Sequence, residues 1–217
     1  MSISYAVQPQ PKGIAQSFII GEKFIGKDSI CLILGDNIFY GHNLTEILNE
    51  AAALKNGALI FGYYVKNPES YGVIEFNSNF NAISIEEKPK KPKSNWAVTG
   101  LYFFDNNVIG ISKKLKPSKR GELEISDVNN EYLRQRKLKV KLLGRGYAWL
   151  DAGNCESLID ASIFIKTVEE RQGLKIGCIE EVAYKMGFIG EKDLRKLTKG
   201  LTSSYGKYLS QLLEDEK

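Results

Sequence analysis

Two acidic residues of this chain each stand directly after an apolar run. Asp36 follows Leu32 to Gly35 in LILGDNIFYG, and Asp151 follows Tyr147 to Leu150. Ligands of open α/β sheets bind outside the carboxyl ends of the strands. Two carboxylates meeting there can hold Mg²⁺, a hard ion that takes one or two carboxylates plus substrate phosphates. Aspartate is also common in turns after strands, and spacing alone leaves both readings open. Glu87 and Lys88 close the run AISIEEK. A carboxylate that accepts sugar hydroxyls beside an ammonium that meets a phosphate suits a phosphorylated sugar, although a solvated pair at a strand end reads the same way. Arg120, in SKRGE, has the fork geometry for a phosphate. Gln8 and Gly13 lie in QPQPKG ahead of a helix. There a glutamine amide can read a base edge and glycine permits close backbone approach. His42 is the sole histidine and no GxSxG or other nucleophile motif accompanies it, so it is read as structural. Without a nucleophile–base pair, catalysis rests on positioning and metal electrostatics, the requirements of phosphoryl-type transfer.

The elements that must position these groups follow from periodicity. Ile3 to Val7 alternates as a short strand, and a helix runs through Ile14 to Phe24. Ser29 to Leu34 reads as a buried strand, Asn43 as the cap of a helix ending near Gly57, and Ala58 to Val65 as a second strand. Strand, helix, strand at this spacing predicts a crossover and a largely parallel sheet. YGVIEF and AISIEEKP form an inserted hairpin, and WAVTGLYFFD a strand buried on both faces. Helices over 106–115 and 124–136, strands over 139–143 and 147–150, and a helix over 155–172 come next, with short helices thereafter. The fold class expected is α/β, an incomplete Rossmann-like sheet with an inserted hairpin and a helical appendage, divided as 1–173 and 174–217.

Composition narrows the class. The chain has 217 residues, 43% of them hydrophobic, enough for one good core with a small appended domain. Its net charge of +4 is mild and interspersed, without the clustered basic face that nucleic acid requires. Lys88, Lys90, Lys91 and Lys93, broken by prolines, read as a solvated loop. Three cysteines, odd in number and without a CxxC pair, argue against disulfides or zinc and fit a cytoplasmic protein. No apolar run approaches a membrane span, and no signal peptide is visible at the N-terminus.

The segments VQPQPKGIAQSFIIGEKFIG, LGDNIFYGH, PESYGVIEF, ISIEEKPKKPKSNWAVTGLYFFD, KPSKRGELEISDVN and GRGYAWLDAGN occur in one order and spacing. Together with EERQGLKIGCIEEVAY and YGKYL they resemble the bacterial glucose-1-phosphate thymidylyltransferases over nearly the whole chain. The resemblance implies that dTTP and glucose 1-phosphate are the substrates, with Mg²⁺ held by Asp36 and Asp151. It implies catalytic roles for Asp36, Lys88 and Arg120, with Lys88 and Arg120 on the sugar phosphate. It places Gln8 and Gly13 on the base and Asp36 beside the nucleotide. Asn37, Tyr71, Gly72, Glu87, Val98 and Trp149 would meet the sugar substrate, and the assembly would be a homo-oligomer, a tetramer in the family.

The chain also departs from the family. EITD is EISD here (Ser126), and LDTG is LDAG (Ala152). The glycine-rich GGxGTRL loop and the KQLLP-like lysine, with which the family begins, do not occur in the 217 residues. The expectation is a thymidylyltransferase, or its C-terminal portion, whose turnover needs that loop on the same or a companion polypeptide. A non-catalytic remnant and a related uridylyltransferase remain as alternatives, with VQPxPxG and the long helical tail favouring thymidylyl specificity. A metal-dependent glycosyltransferase would want a DxD pair where GDN stands.

Overall fold

A computed structural model describes residues 2–215 of the chain, with the side chain of Asp215 left aside. The residues cluster into two compact units, Met1–Gly153 and Asn154–Lys217. The division falls ahead of the 173/174 boundary read from the sequence. The last turn of the long helix over 155–172 is tied to the segment after it: Glu169 accepts from Lys175 Nζ at 2.5 Å and from the Ile176 N–H at 2.9 Å.

The first unit begins without the expected strand. Ile3, Tyr5 and Val7 are exposed and, among the described residues, pair with no strand. Gly21 then breaks the expected helix into α1 (Gln16–Ile20) and α2 (Glu22–Ile25). There follow β1 (Ile30–Ile33), β2 (Asn37–Gly41), α3 (Leu44–Ala52) and β3 (Ala58–Tyr64). Asn43 stands at the start of α3, but its backbone is left-handed (φ 59°) and its side chain caps nothing. The hairpin is β4 (Gly72–Phe76) and β5 (Ala82–Glu87), and β6 (Trp96–Phe104) is the long strand. The hairpin turn is organised by Asn77, whose Oδ1 accepts from the Asn79 and Asn81 N–H groups at 3.0 Å each. Then come α4 (Asn107–Lys114), α5 (Ile125–Arg134), β7 (Leu138–Leu143) and β8 (Tyr147–Asp151).

β6 organises the main sheet, whose order is β5-β4-β6-β3-β7, with β1 also on β6. β1 and β3 flank β6 and both run against it, so they are parallel to each other without pairing. Among the described residues the only parallel pair is β3 with β7, which corrects the largely parallel sheet expected from the strand–helix–strand spacing. β6 is buried along all but its first residue. Successive side chains point to opposite faces: Tyr102 and Phe104 join Phe18, Val108, Val128 and Tyr132 on the side of α1, α4 and α5. Leu101 and Phe103 join Ala51, Leu59 and Phe61 on the side of α3. A double-faced core of this kind requires the nearly continuous apolar run that the sequence shows. β1 is less covered than expected: Ile33 is 58% exposed, and among the described residues β6 is its one strand partner.

Two constraints fix the joints. Asp105, at the end of β6, is buried and accepts from Gly57 N–H at 2.7 Å, Tyr132 O–H at 2.6 Å and both nitrogens of Asn107 at 3.0 Å. Gly57 is left-handed (φ 88°), and a β-carbon there would lie 2.3 Å from the Lys137 carbonyl oxygen. β2 and β8 form a separate two-stranded ribbon in which Asn37 faces Asp151 and Gly41 faces Tyr147.

The second unit is helical: α6 (Cys155–Gln172), α7 (Ile179–Lys185), α8 (Glu191–Thr198) and α9 (Ser204–Asp215). α6 opens on a capping box between Asn154 and Ser157 and closes on left-handed Gly173. The core of this unit is Cys178, Leu194, Tyr208, Leu209 and Leu213. Tyr205 and Tyr208 donate to Glu180 and Glu181 at 2.5 Å. No helix among the described residues is long and apolar enough to cross a membrane.

Candidate active site

Where β1 ends, Leu34 to Asn37 turn through Gly35 and Asp36, closed by Asn37 N–H on the Leu34 carbonyl at 3.1 Å. The turn carries the chain off the main sheet and into the ribbon. Asp36 therefore emerges at the strand end, as its sequence position predicts, and Asp151 reaches it from the last position of β8. The Ala152 N–H donates to the Asp36 carbonyl at 2.7 Å. A β-carbon on Gly153 would sit 3.2 Å from Asp151 Oδ1 and 3.3 Å from Asp36 Oδ2, so both carboxylates converge on space that glycine leaves open. Burial raises the Asp151 pKa, and the Asp36 charge raises it further; the Gly153 N–H and the Lys88 ammonium pull the other way.

Among the described residues no three His, Cys, Asp or Glu side chains cluster around a metal-sized space. Two converging carboxylates nevertheless fit a Mg²⁺ ion, whose remaining ligands are characteristically water and substrate phosphate. The like-charge pressure on Asp151 is what a divalent cation would relieve.

The acids border a cavity of about 160 Å³. Asn37, Tyr71, Gly72, Glu87, Lys88, Val98 and Trp149 line it with them, so nine of the residues singled out by sequence come together. Its floor is β6, presenting Val98, Gly100 and Tyr102. Trp149 is buried and stands edge-on to Tyr71 (5.0 Å between ring centroids) and Tyr63 (5.8 Å). Glu87 pairs with Gly72 across the hairpin. Burial raises its pKa, Ser126 and the Lys88 and Arg120 cations lower it, and the Glu124 carboxylate raises it. The contact with Ser126 is a 2.5 Å hydrogen bond from Oγ to Glu87 Oε2. Lys88 has a left-handed backbone (φ 43°) although it carries a side chain and precedes Pro89. Strained backbone of this sort concentrates at functional sites.

Three expected residues lie elsewhere. Arg120 is outside the cavity lining and is engaged with carboxylates, at 3.1 Å from Glu122, 3.4 Å from buried Glu124 and 3.9 Å from Glu87. Gln8 is exposed and spends its amide on the Gly13 carbonyl (3.1 Å) and Gln16 (2.7 Å). Gly13 has a local reason to be glycine: φ is 95°, and a β-carbon would fall 2.3 Å from the Leu123 carbonyl oxygen. Sequence reasoning missed Ser126 and Gly100 as site residues. The first reads in sequence as a family substitution only, and the second is hidden inside an apolar strand. His42 is exposed and does not line the cavity.

The sequence pattern of the nucleotidyl transferase family matches residues 1–168, which takes in both acids and the whole cavity. The chain belongs to the nucleotidyl transferase family. It is 57% identical to a glucose-1-phosphate thymidylyltransferase of Neisseria meningitidis, over 99% of this chain and 75% of the relative. It is 53% identical to one of Mycobacterium tuberculosis, over 99% of this chain and 74% of the relative. The chain thus spans about three quarters of the length of these relatives. A Bacillus anthracis structure assigned as a glucose-1-phosphate thymidylyltransferase, solved with sucrose, superposes with a TM-score of 0.66 at 42% identity. That alignment covers 74% of this chain and 64% of that one. A UDP-glucose pyrophosphorylase complexed with UDP-glucose shares the nucleotidyl transferase's fold at a TM-score of 0.64 and 24% identity.

Proposed function

We propose that this chain carries the sugar-phosphate and metal half of a glucose-1-phosphate thymidylyltransferase site. The observation that supports it best is the meeting of Asp36 and Asp151 at the edge of a cavity that also holds Glu87 and Lys88. In the reaction, a phosphate oxygen of glucose 1-phosphate attacks the α-phosphorus of dTTP. The bond from that phosphorus to the β-phosphate bridge breaks, and pyrophosphate leaves with the electron pair. Asp36 and Asp151 would hold Mg²⁺, which when bound neutralises charge on the phosphates. Glu87, fixed by Ser126 on Oε2, would offer Oε1, which lies 3.9 Å from Arg120, to sugar hydroxyls. Lys88 supplies a cation for the sugar phosphate. Arg120 would reach the same phosphate by leaving its carboxylate partners. Gln8 and Gly13 would serve the base, Gln8 by giving up its local bonds. The protein acts in the cytoplasm as a homo-oligomer, for which light scattering is the direct check.

The test is pyrophosphate release from dTTP and glucose 1-phosphate, by the chain alone and with a supplied fragment bearing GGxGTRL. Turnover in either case, abolished by Asp36→Asn or Asp151→Asn, supports the reading; near-normal rates in either variant refute the metal assignment. One observation favours a second, non-catalytic reading: β1 has a single strand neighbour among the described residues. Saturable sugar-nucleotide binding without turnover, even after reconstitution, would decide for it.

A further inference from the structure

Asn37 shares the cavity with the metal carboxylates, yet its side chain is already committed. Its Oδ1 accepts the Gly100 N–H at 2.9 Å and the Trp149 indole N–H at 2.7 Å. Its Nδ2 donates to Asp36 Oδ1 at 2.8 Å. This amide orientation is dictated by its neighbours. Turned over, Nδ2 would face two N–H donors while Oδ1 faced a carboxylate, so all three contacts would become repulsive. The three partners come from β6, β8 and the turn after β1. The Gly100 carbonyl also accepts the Leu34 N–H at 2.9 Å, which ties the approach to that turn to the same point of β6. Space is equally specific: a β-carbon on Gly100 would lie 2.4 Å from Asn37 Oδ1 and 2.6 Å from its Cγ.

We propose that Asn37 is a positioning residue: Gly100 and Trp149 fix its amide so that it occupies Asp36 Oδ1 and leaves Oδ2 for the metal ion. Oδ2 is the oxygen that faces the Gly153 space shared with Asp151. The indole of Trp149 is thereby coupled to the metal site through a hydrogen-bond chain as well as by packing. The proposal rests on the metal reading above and assigns Asn37 a role besides any contact with the sugar. Partners that orient a ligating group commonly change metal affinity 10- to 100-fold when removed.

The experiment measures Mn²⁺ binding to the full chain by water-proton relaxation, with folding followed by circular dichroism. Asn37→Ala is expected to weaken binding about tenfold or more. Trp149→Phe removes one of the two donors to Oδ1 and is expected to weaken it about three- to fivefold. The chain has two tryptophans, Trp96 and Trp149, so its ¹⁵N spectrum carries two indole signals, assigned with Trp96→Phe. Mg²⁺ is expected to move the Trp149 signal in the wild type and not in Asn37→Ala. Folded Asn37→Ala with Mn²⁺ affinity within twofold of wild type would overturn the proposal. Should that variant fail to fold, unaltered affinity in Trp149→Phe together with a Mg²⁺-insensitive Trp149 signal in the wild type would do so. Unchanged Mn²⁺ affinity in Asp36→Asn would refute the metal reading itself and this proposal with it.

Discussion

Gly72→Ala tests the proposed sugar pocket separately from the acid pair. Gly72 is buried in β4 with an ordinary strand conformation, so alanine meets no backbone objection there. Its new methyl would sit 3.0 Å from Ser126 Oγ, 3.3 Å from Glu87 Oε2 and 3.7 Å from Val98 Cβ. The first two atoms are hydrogen-bonded to each other at 2.5 Å, so the methyl wedges against a fixed pair. Neither Asp36 nor Asp151 supplies one of these three nearest atoms. A single methyl in a specificity pocket is worth about 1–3 kcal/mol, or roughly 10- to 200-fold. In a cavity of about 160 Å³ lined by Glu87 and Val98 it has little room to be accommodated. Stability changes less, because replacing glycine in a strand gains about 0.5–1 kcal/mol that offsets the close contact. Titration calorimetry with glucose 1-phosphate is therefore expected to show at least a tenfold loss of affinity, with Mn²⁺ binding unaltered. Affinity for glucose 1-phosphate within twofold of wild type, in a folded variant, would refute the placement of the sugar between Gly72 and Glu87.

Three further expectations concern the frame. Asp105→Ala leaves Gly57 N–H without its side-chain acceptor and the buried Tyr132 hydroxyl with only the Asp105 carbonyl at 3.5 Å, and should cost about 2–3 kcal/mol, read as a lower urea midpoint by tryptophan fluorescence. Burial pushes the Asp105 carboxyl up, but hydrogen bonds from Tyr132, Gly57 and Asn107 outweigh this and hold it below the ordinary 3.8. Its contribution is thus complete above the ordinary aspartate range and lost as pH falls through the folded value, so wild type and variant should converge in acid. Gly13→Ala, forced into a left-handed backbone against Leu123, should destabilise by about 1–3 kcal/mol or more on thermal unfolding; an unchanged midpoint would leave base contact as the sole reason for this glycine. Thr99 is fully buried and its hydroxyl has no partner among the described residues, and Thr99→Val should stabilise by about 1 kcal/mol in the urea assay.

Much of this architecture is written locally. WAVTGLYFFD could only be a doubly buried strand, and Gly35–Asp36 after LIL marked a strand end with an acid. The hairpin was legible because Asn77 to Asn81 separates two alternating runs. What local pattern cannot carry is pairing. Nothing within β1 or β3 says that both would lie antiparallel to β6, because that depends on a strand that comes later in the chain. Ile3 to Val7 alternates loosely yet pairs with no strand among the described residues, since alternation expresses compatibility with a sheet and not the presence of a neighbour. In the site, Asp36, Glu87 and Lys88 were visible because charge at a strand end is conspicuous. Gly100 was not, because its significance is the volume it leaves for Asn37, 63 positions away.

The ribbon of β2 and β8 gives the acid pair an all-or-none character. Asn37 and Trp149 are 112 positions apart, and their ladder, with the Ala152 N–H on the Asp36 carbonyl, brings Asp36 and Asp151 together. A slip of one residue would turn every side chain of a strand to its other face, parting the carboxylates instead of loosening them. On the metal reading proposed above, divalent-cation uptake would be a census of correctly registered molecules: the number of ions bound per chain would count the fraction whose distant halves have found each other.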